Sequence, residues 1–221
     1  MIVQEICLRR NFFAYFWNEY SKSMPRTKQF DQKDILRKAM ERFWQKGFHA
    51  TSMQDLVDHL GINRASIYNA FPGGKEQLFQ EAFQFYQKEY GFDPALVQQQ
   101  LENGSVRDFF QHFFQQILDE LQSGEEQNGC FITNTTCEMP NQSPEVRSLL
   151  QGHMEGMVEF FTQIIQLGQE RGEIKNQHAA KTLAKHIYTF INGLKAIARI
   201  ETDLSSLQQA AEIELSYVFD G

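Results

Sequence analysis

Apolar residues recur every three or four positions along most of this chain, the period of helices that bury one face. The first such stripe is Ile35, Leu36, Ala39, Met40, Phe43 and Trp44, with Asp31 placed to cap its start and Gly47, just after Lys46, placed to stop it. Thr51 and Ser52 put two capping hydroxyls ahead of an apolar run from Met53 to Leu60. Gly61-Ile62-Asn63 reads as a tight turn, Arg64 to Phe71 as a second short helix, and Pro72-Gly73-Gly74 as a break. Lys75 then opens a longer helix through Leu78, Phe79, Ala82, Phe83 and Tyr86.

The remainder repeats this pattern in longer elements. Ser105 to Leu121 sets Phe109, Phe110, Phe113, Phe114, Ile117 and Leu118 on one wide stripe. Residues 125–129 are polar and loop-like, and Cys130 to Met139 reads as a helix that Pro140 ends. Ser143, with Pro144 at the first helical position, caps a long helix. Its stripe runs through Val146, Leu149, Leu150, Met154, Met157, Phe161, Ile164 and Ile165 as far as Arg171-Gly172. Two last helices, Ala179 to Ile200 and Leu204 to Phe219, follow. No period-two alternation survives a count, so the expected fold class is all-α.

Residues 51–71 have the layout of a helix-turn-helix, in which two short helices meet at a turn that often holds a glycine. Leu56, Val57, Leu60, Ile62 and Ile67 supply the apolar contacts that lock the pair. Asn63 is placed to cap the second helix, which leaves Arg64, Ala65, Ser66, Tyr68 and Asn69 on its outer face. Those side chains suit a DNA groove. Arg64 can reach phosphate or guanine, Ser66 and Tyr68 can bond phosphates, Asn69 can pair with adenine, and small Ala65 permits close approach. The same pattern also fits a helical hairpin with a polar surface.

Charge sharpens the picture. The 221 residues, enough for one or two domains with a sizeable core, carry a net −7 that is unevenly spread. Residues 24–75 hold nine Lys and Arg against five Asp and Glu, a balance of +4, whereas residues 76–221 stand at −12. A small basic module ahead of a large acidic one suits a nucleic-acid contact at one end. Cys7, Cys130 and Cys137 are too few and scattered for a disulfide framework and suit a reducing compartment, hence a cytoplasmic location. No run approaches the roughly 18 apolar residues of a membrane span. In residues 1–23, Glu5 and Arg9-Arg10 interrupt the only apolar stretch, so no secretory signal is expected. Met24, followed by the basic arm Pro25-Arg26-Thr27-Lys28, is expected as the native start, with 1–23 an upstream extension.

Ala39-x-x-x-Phe43, Gly47-Phe48-x-x-Thr51, Leu56-x-x-x-Leu60-Gly61-Ile62, Ser66-Ile67-Tyr68-Asn69-Ala70-Phe71 and Lys75-Glu76-x-Leu78-Phe79 together resemble the TetR/AcrR family of transcriptional repressors over residues 31–80. Gly129-Cys130-Phe131-Ile132-x-Asn134-Thr135 is similar to a segment of one subgroup. The resemblance implies a homodimer that binds a double-stranded operator and is released by a small-molecule effector. Its three-helix DNA-binding domain would occupy residues 24–75 and its larger helical ligand-binding and dimerisation domain residues 76–221. Asn63 to Phe71 would be the recognition helix, Tyr68 a phosphate-contacting tyrosine, and Lys75 the lysine at the start of the next helix. Thr51 and Ser52 would meet phosphates. Asn69-Ala70 stands where many members carry bulkier residues, which leaves the operator sequence open.

The resemblance also implies an effector pocket among the helices of residues 105–172, with Tyr188 contributing. Phe109, Phe113, Met154, Met157 and Phe161 could line an apolar cavity, with His112, His153, Asn134 and Glu138 as polar candidates; the same residues could equally fill the core. Cys130 and Cys137, seven residues apart, would share one helical face, and a thiol sensor is conceivable there. The last two stripes, which include Leu194 and Leu215, are more apolar than one thin domain covers, so a four-helix bundle between two copies is expected. No nucleophile elbow, phosphate loop or metal-ligand spacing points to an enzyme, a cofactor or a metal. The rival to the regulator is a ligand-binding or thiol-sensing helical protein without operator-specific DNA binding.

Overall fold

The computed structural model describes residues 32–122, 129–138, 143–201 and 203–221. The expected cap Asp31, the extension 1–23, the arm that follows it and the helix stop at Met139-Pro140 lie outside the described residues. Among them are ten α-helices and no strand, as an all-α chain requires. They are α1 (Gln32–Lys46), α2 (Met53–Leu60), α3 (Arg64–Ala70), α4 (Gly74–Glu89) and α5 (Pro94–Asn103), then α6 (Val106–Gln122), α7 (Phe131–Glu138), α8 (Pro144–Glu170), α9 (Ala180–Ile197) and α10 (Leu204–Asp220). No stripe announces α5, where Val97 and Leu101 are buried among glutamines. Its start is nonetheless encoded by Asp93, whose side chain accepts the Ala95 N–H at 2.8 Å, and by Pro94 in the first turn.

Two compact units divide the described chain. One takes the residues up to Gly91 together with Phe131–Leu150, and the other takes Phe92–Cys130 with Gln151–Gly221. A boundary drawn after residue 75 therefore falls in the first turn of α4, whose Leu78, Phe79, Ala82, Phe83, Phe85 and Tyr86 are buried. In the first unit the Phe79 ring meets Phe43 edge-on at 5.1 Å, and Phe48 stacks on Phe43. Phe131 at the start of α7 joins this core and touches Trp44, Phe79, Phe83 and Tyr86. Ser143 caps α8 as its sequence predicts, accepting the Val146 N–H, and donates to Glu76 of α4 at 2.9 Å.

In the second unit the wide α6 stripe is buried as a whole, from Phe109 to Leu118, with Phe161, Ile164 and Ile165 of α8 in the same core. The last two helices differ from expectation. Leu194 and Leu215 are 5% and 7% exposed, and Ile187, Leu207, Ala211 and Val218 are likewise buried, because α9 and α10 close this core from within one chain. The large apolar residues these helices leave to solvent are Ile197, Ile213 and Tyr217, with Ile200 just beyond α9. Cys130 also departs from expectation: α7 begins one residue later, so buried Cys130 and exposed Cys137 do not share a helical face. Gly129, at φ +70°, makes the left-handed turn that precedes them.

Candidate nucleic-acid interface

The α2–turn–α3 unit is built from local capping chemistry. Ser52 and Asp55 form a reciprocal capping box at the start of α2, and Gly61 ends it in the left-handed region at φ +68°. Asn63 caps α3 as expected, its Oδ1 accepting the Ser66 N–H at 2.8 Å. Leu56, Leu60, Ile62 and Ile67 are buried beneath, so the orientation of α3 is held by apolar contact on one side only. Its other side presents Asn63, Arg64, Ala65, Tyr68 and Asn69 to solvent, with Ser66 half-buried. The structure thus brings together the five residues that the sequence assigned to this face, with the capping Asn63 beside them. Tyr68 leans over Gly74, where an added Cβ would lie 3.1 Å from its ring, so the glycine makes room for the tyrosine.

Charge singles out Arg64. Arg37 pairs with Asp34 and Glu41, Lys38 pairs with Asp34, and Arg42 and Lys46 both pair with Asp55. Lys46, Ser52 and Arg42 together hold the Asp55 carboxyl well below the usual carboxylate range. The Arg64 guanidinium instead lies 5.8 Å from the Tyr68 ring and has no carboxylate partner among the described residues. It is a cation with its charge uncommitted, which suits a phosphate or a guanine edge.

Thr51 and Ser52, expected to meet phosphates, and Lys75, at the start of the next helix, all have partners within the protein. Thr51 is fully buried, and its hydroxyl donates to the Gly47 carbonyl at 2.7 Å, so it braces the turn after α1. Ser52 donates its hydroxyl to Asp55 at 2.6 Å and its N–H to the same carboxylate at 3.0 Å, leaving no donor for a phosphate. The Lys75 ammonium donates to the carbonyls of Phe48 and Thr51, both at 2.9 Å, and sits 4.1 Å from the Phe48 ring. Two of its three donors are committed. Burial lowers the Lys75 pKa, and the neighbouring Glu138 opposes that shift.

Sequence reasoning placed Glu138 near an effector, but its carboxylate accepts the N–H groups of Phe48 and His49 at 3.0 and 2.7 Å. No local signal reports this, since the bonded residues are about ninety positions apart. The expected pocket residues separate. Phe109, Phe113 and Phe161 are core members in ring contact, while Met154, Met157 and Tyr188 pack against that core half-buried. Asn134, on α7, belongs to the first unit. A surface depression of about 400 Å³, lined by Arg107, Gln111 and Phe114 of α6 with Gln208 and Glu212 of α10, includes none of these seven residues. Among the described residues no group of three His, Cys, Asp or Glu side chains could hold a metal ion, and no helix is long and apolar enough to cross a membrane.

Comparison with known proteins bears on this geometry. Residues 35–82 match the model of bacterial regulatory proteins of the tetR family, and residues 107–213 match the tetracyclin repressor-like C-terminal domain. The chain is 31% identical over 192 residues to the HTH-type transcriptional repressor ComR of Escherichia coli, covering 86% of this chain and 90% of that one. It is 29% identical to the HTH-type transcriptional regulator YezE of Bacillus subtilis, over 87% and 98% of the two chains. Among solved structures it is similar to a cysteine mutant of the TetR-family regulator CifR bound to a 26-bp operator duplex, with a TM-score of 0.73, 25% identity, and coverage of 86% and 98%. The capped helix pair, its uncommitted arginine and the two matched domain models agree: this chain belongs to the TetR family of helix-turn-helix transcriptional regulators.

Proposed function

We propose that this protein is a ligand-responsive repressor that binds an inverted-repeat operator as a homodimer in the cytoplasm and leaves it when a small molecule binds. The observation that carries the reading is the outer face of α3, where Arg64, Tyr68 and Asn69 stand exposed on a helix capped at its start. ComR and DhaR, both similar in sequence, are named as repressors, and CifR is held on operator DNA, which supports the same role here. In this reading the unit built on α1–α4 meets DNA and the unit around α6 and α8 meets the effector, with Met154, Met157 and Tyr188 among the half-buried residues packed against its core.

A chain with net charge −7 is repelled by phosphate except at such a face, so binding to a duplex selected by the protein from a random pool should be steeply salt-dependent. Arg64→Ala should reduce the slope of log affinity against log salt by about one if it meets phosphate. Asn69→Ala should relax discrimination at one base pair and cost about 1–3 kcal/mol. Wild-type affinity and sequence preference in Arg64→Ala, Tyr68→Ala and Asn69→Ala alike would remove α3 as the reading surface.

A further inference from the structure

The turn that joins α1 to α2 is held by two charged side chains that arrive from elsewhere. Its N–H groups at Phe48 and His49 point to the Glu138 carboxylate, and its carbonyls at Phe48 and Thr51 receive the Lys75 ammonium. Gly47 makes the approach possible: it sits at φ +80°, and a Cβ there would lie 2.7 Å from a Glu138 oxygen. Thr51 closes the turn internally through its bond to the Gly47 carbonyl, and the next residue, Ser52, starts α2. α7 is fixed at both of its ends, by Phe131 in the aromatic core and by Glu138 on the turn. By sequence, however, α7 lies within residues 107–213, the stretch that matches the C-terminal domain.

We propose that Glu138 and Lys75 are positioning residues for DNA binding, a carboxylate and an ammonium that grip the donors and the acceptors of the turn at residues 47–51 and so set where α2 and α3 stand. The inference rests on the DNA-binding reading above and adds the residues through which the C-terminal sequence holds the reading head. A charge-assisted hydrogen bond lengthened beyond its normal range is lost, so a small withdrawal of α7 frees the turn. Neither residue needs to touch DNA for this, and that separates it from Arg64.

The test titrates a duplex selected by the wild-type protein from a random pool, at several salt concentrations, with Glu138→Ala, Glu138→Gln, Lys75→Met and Arg64→Ala. Losing two bonds to a charged group should weaken binding by about ten- to a hundredfold in Glu138→Ala, with the salt slope unchanged and faster amide exchange at Phe48 and His49. Glu138→Gln, which keeps one acceptor for the two N–H groups, should fall between it and the wild type. Lys75→Met keeps the stem over Phe48 and should also lower affinity at constant slope; it decides the matter if Glu138→Ala does not fold. Wild-type affinity in Glu138→Ala and Lys75→Met while Arg64→Ala is impaired overturns the proposal alone. A shallower slope in either variant places that residue on DNA and overturns it too. A wild-type protein that selects no duplex ends the functional reading and the proposal with it.

Discussion

At His153 burial acts against the proton. The imidazole sits on α8 beside Tyr188, with ring centroids 6.4 Å apart, and desolvation, assisted by the charge of Lys195, pushes its pKa down to about 4. An unfolded histidine titrates near 6.5, so between these values the unfolded chain binds more protons than the folded one. Stability that is fully present above pH 6.5 is therefore lost as pH falls toward 4, by about 3 kcal/mol at most. Glu81 and Glu214, whose pKa values burial raises, shift stability the other way but are common to wild type and variant. The difference in unfolding free energy between wild type and His153→Gln, followed from pH 7 to 4, should shrink as the pH falls; a flat difference would mean that His153 binds its proton as readily in the fold as in the unfolded chain. The same scale shows why Thr51 and Lys75 read as phosphate contacts in one dimension. Hydroxyl and ammonium chemistry suits either partner, and the carbonyls that claim Lys75 lie 24 and 27 positions away.

At the scale of elements, α6 carries the core of the second unit. Phe110 is fully buried, with the rings of Phe161 from α8 and Phe219 from α10 at 5.8 and 6.2 Å. Phe110→Ala should destabilise the protein by about 3–5 kcal/mol in denaturant unfolding, from lost transfer energy plus a cavity that three helices cannot close. A loss below about 1 kcal/mol would mean that the helices relax into the space. The aromatic stripe of α6 is plain in the sequence because its period alone identifies the buried face. α5 is hidden because burial of two residues leaves no period, and α7 starts one residue later than its pattern suggests, at Phe131, after the left-handed turn at Gly129.

For the whole molecule, the dimer expectation must move to other residues. Leu194 and Leu215 sit inside the core, so charging either should unfold the chain and says nothing about association. Ile213 and Tyr217 are 70% and 44% exposed one turn apart on α10, the spacing of a helix face able to meet a second copy. Ile213→Glu should yield a monomer by sedimentation at micromolar concentration with an unchanged helical circular-dichroism spectrum, whereas Leu215→Glu should lose that spectrum. A dimeric Ile213→Glu protein would place the interface elsewhere.

What the sequence determined by itself is what local chemistry determines. Helix periods, the Asn63 and Ser52 caps, the Gly61 turn and the outer face of α3 all rest on interactions within a few residues, and each stands where the pattern puts it. Only the tertiary structure decided which polar groups are used up. Ion pairs consume the charge of Arg42 and Lys46, the turn after α1 claims Thr51 and Lys75, and α7 delivers Glu138 across ninety residues. The reason is physical: a side chain's type sets which partners it can take, while the fold sets which partner arrives first and excludes water from it.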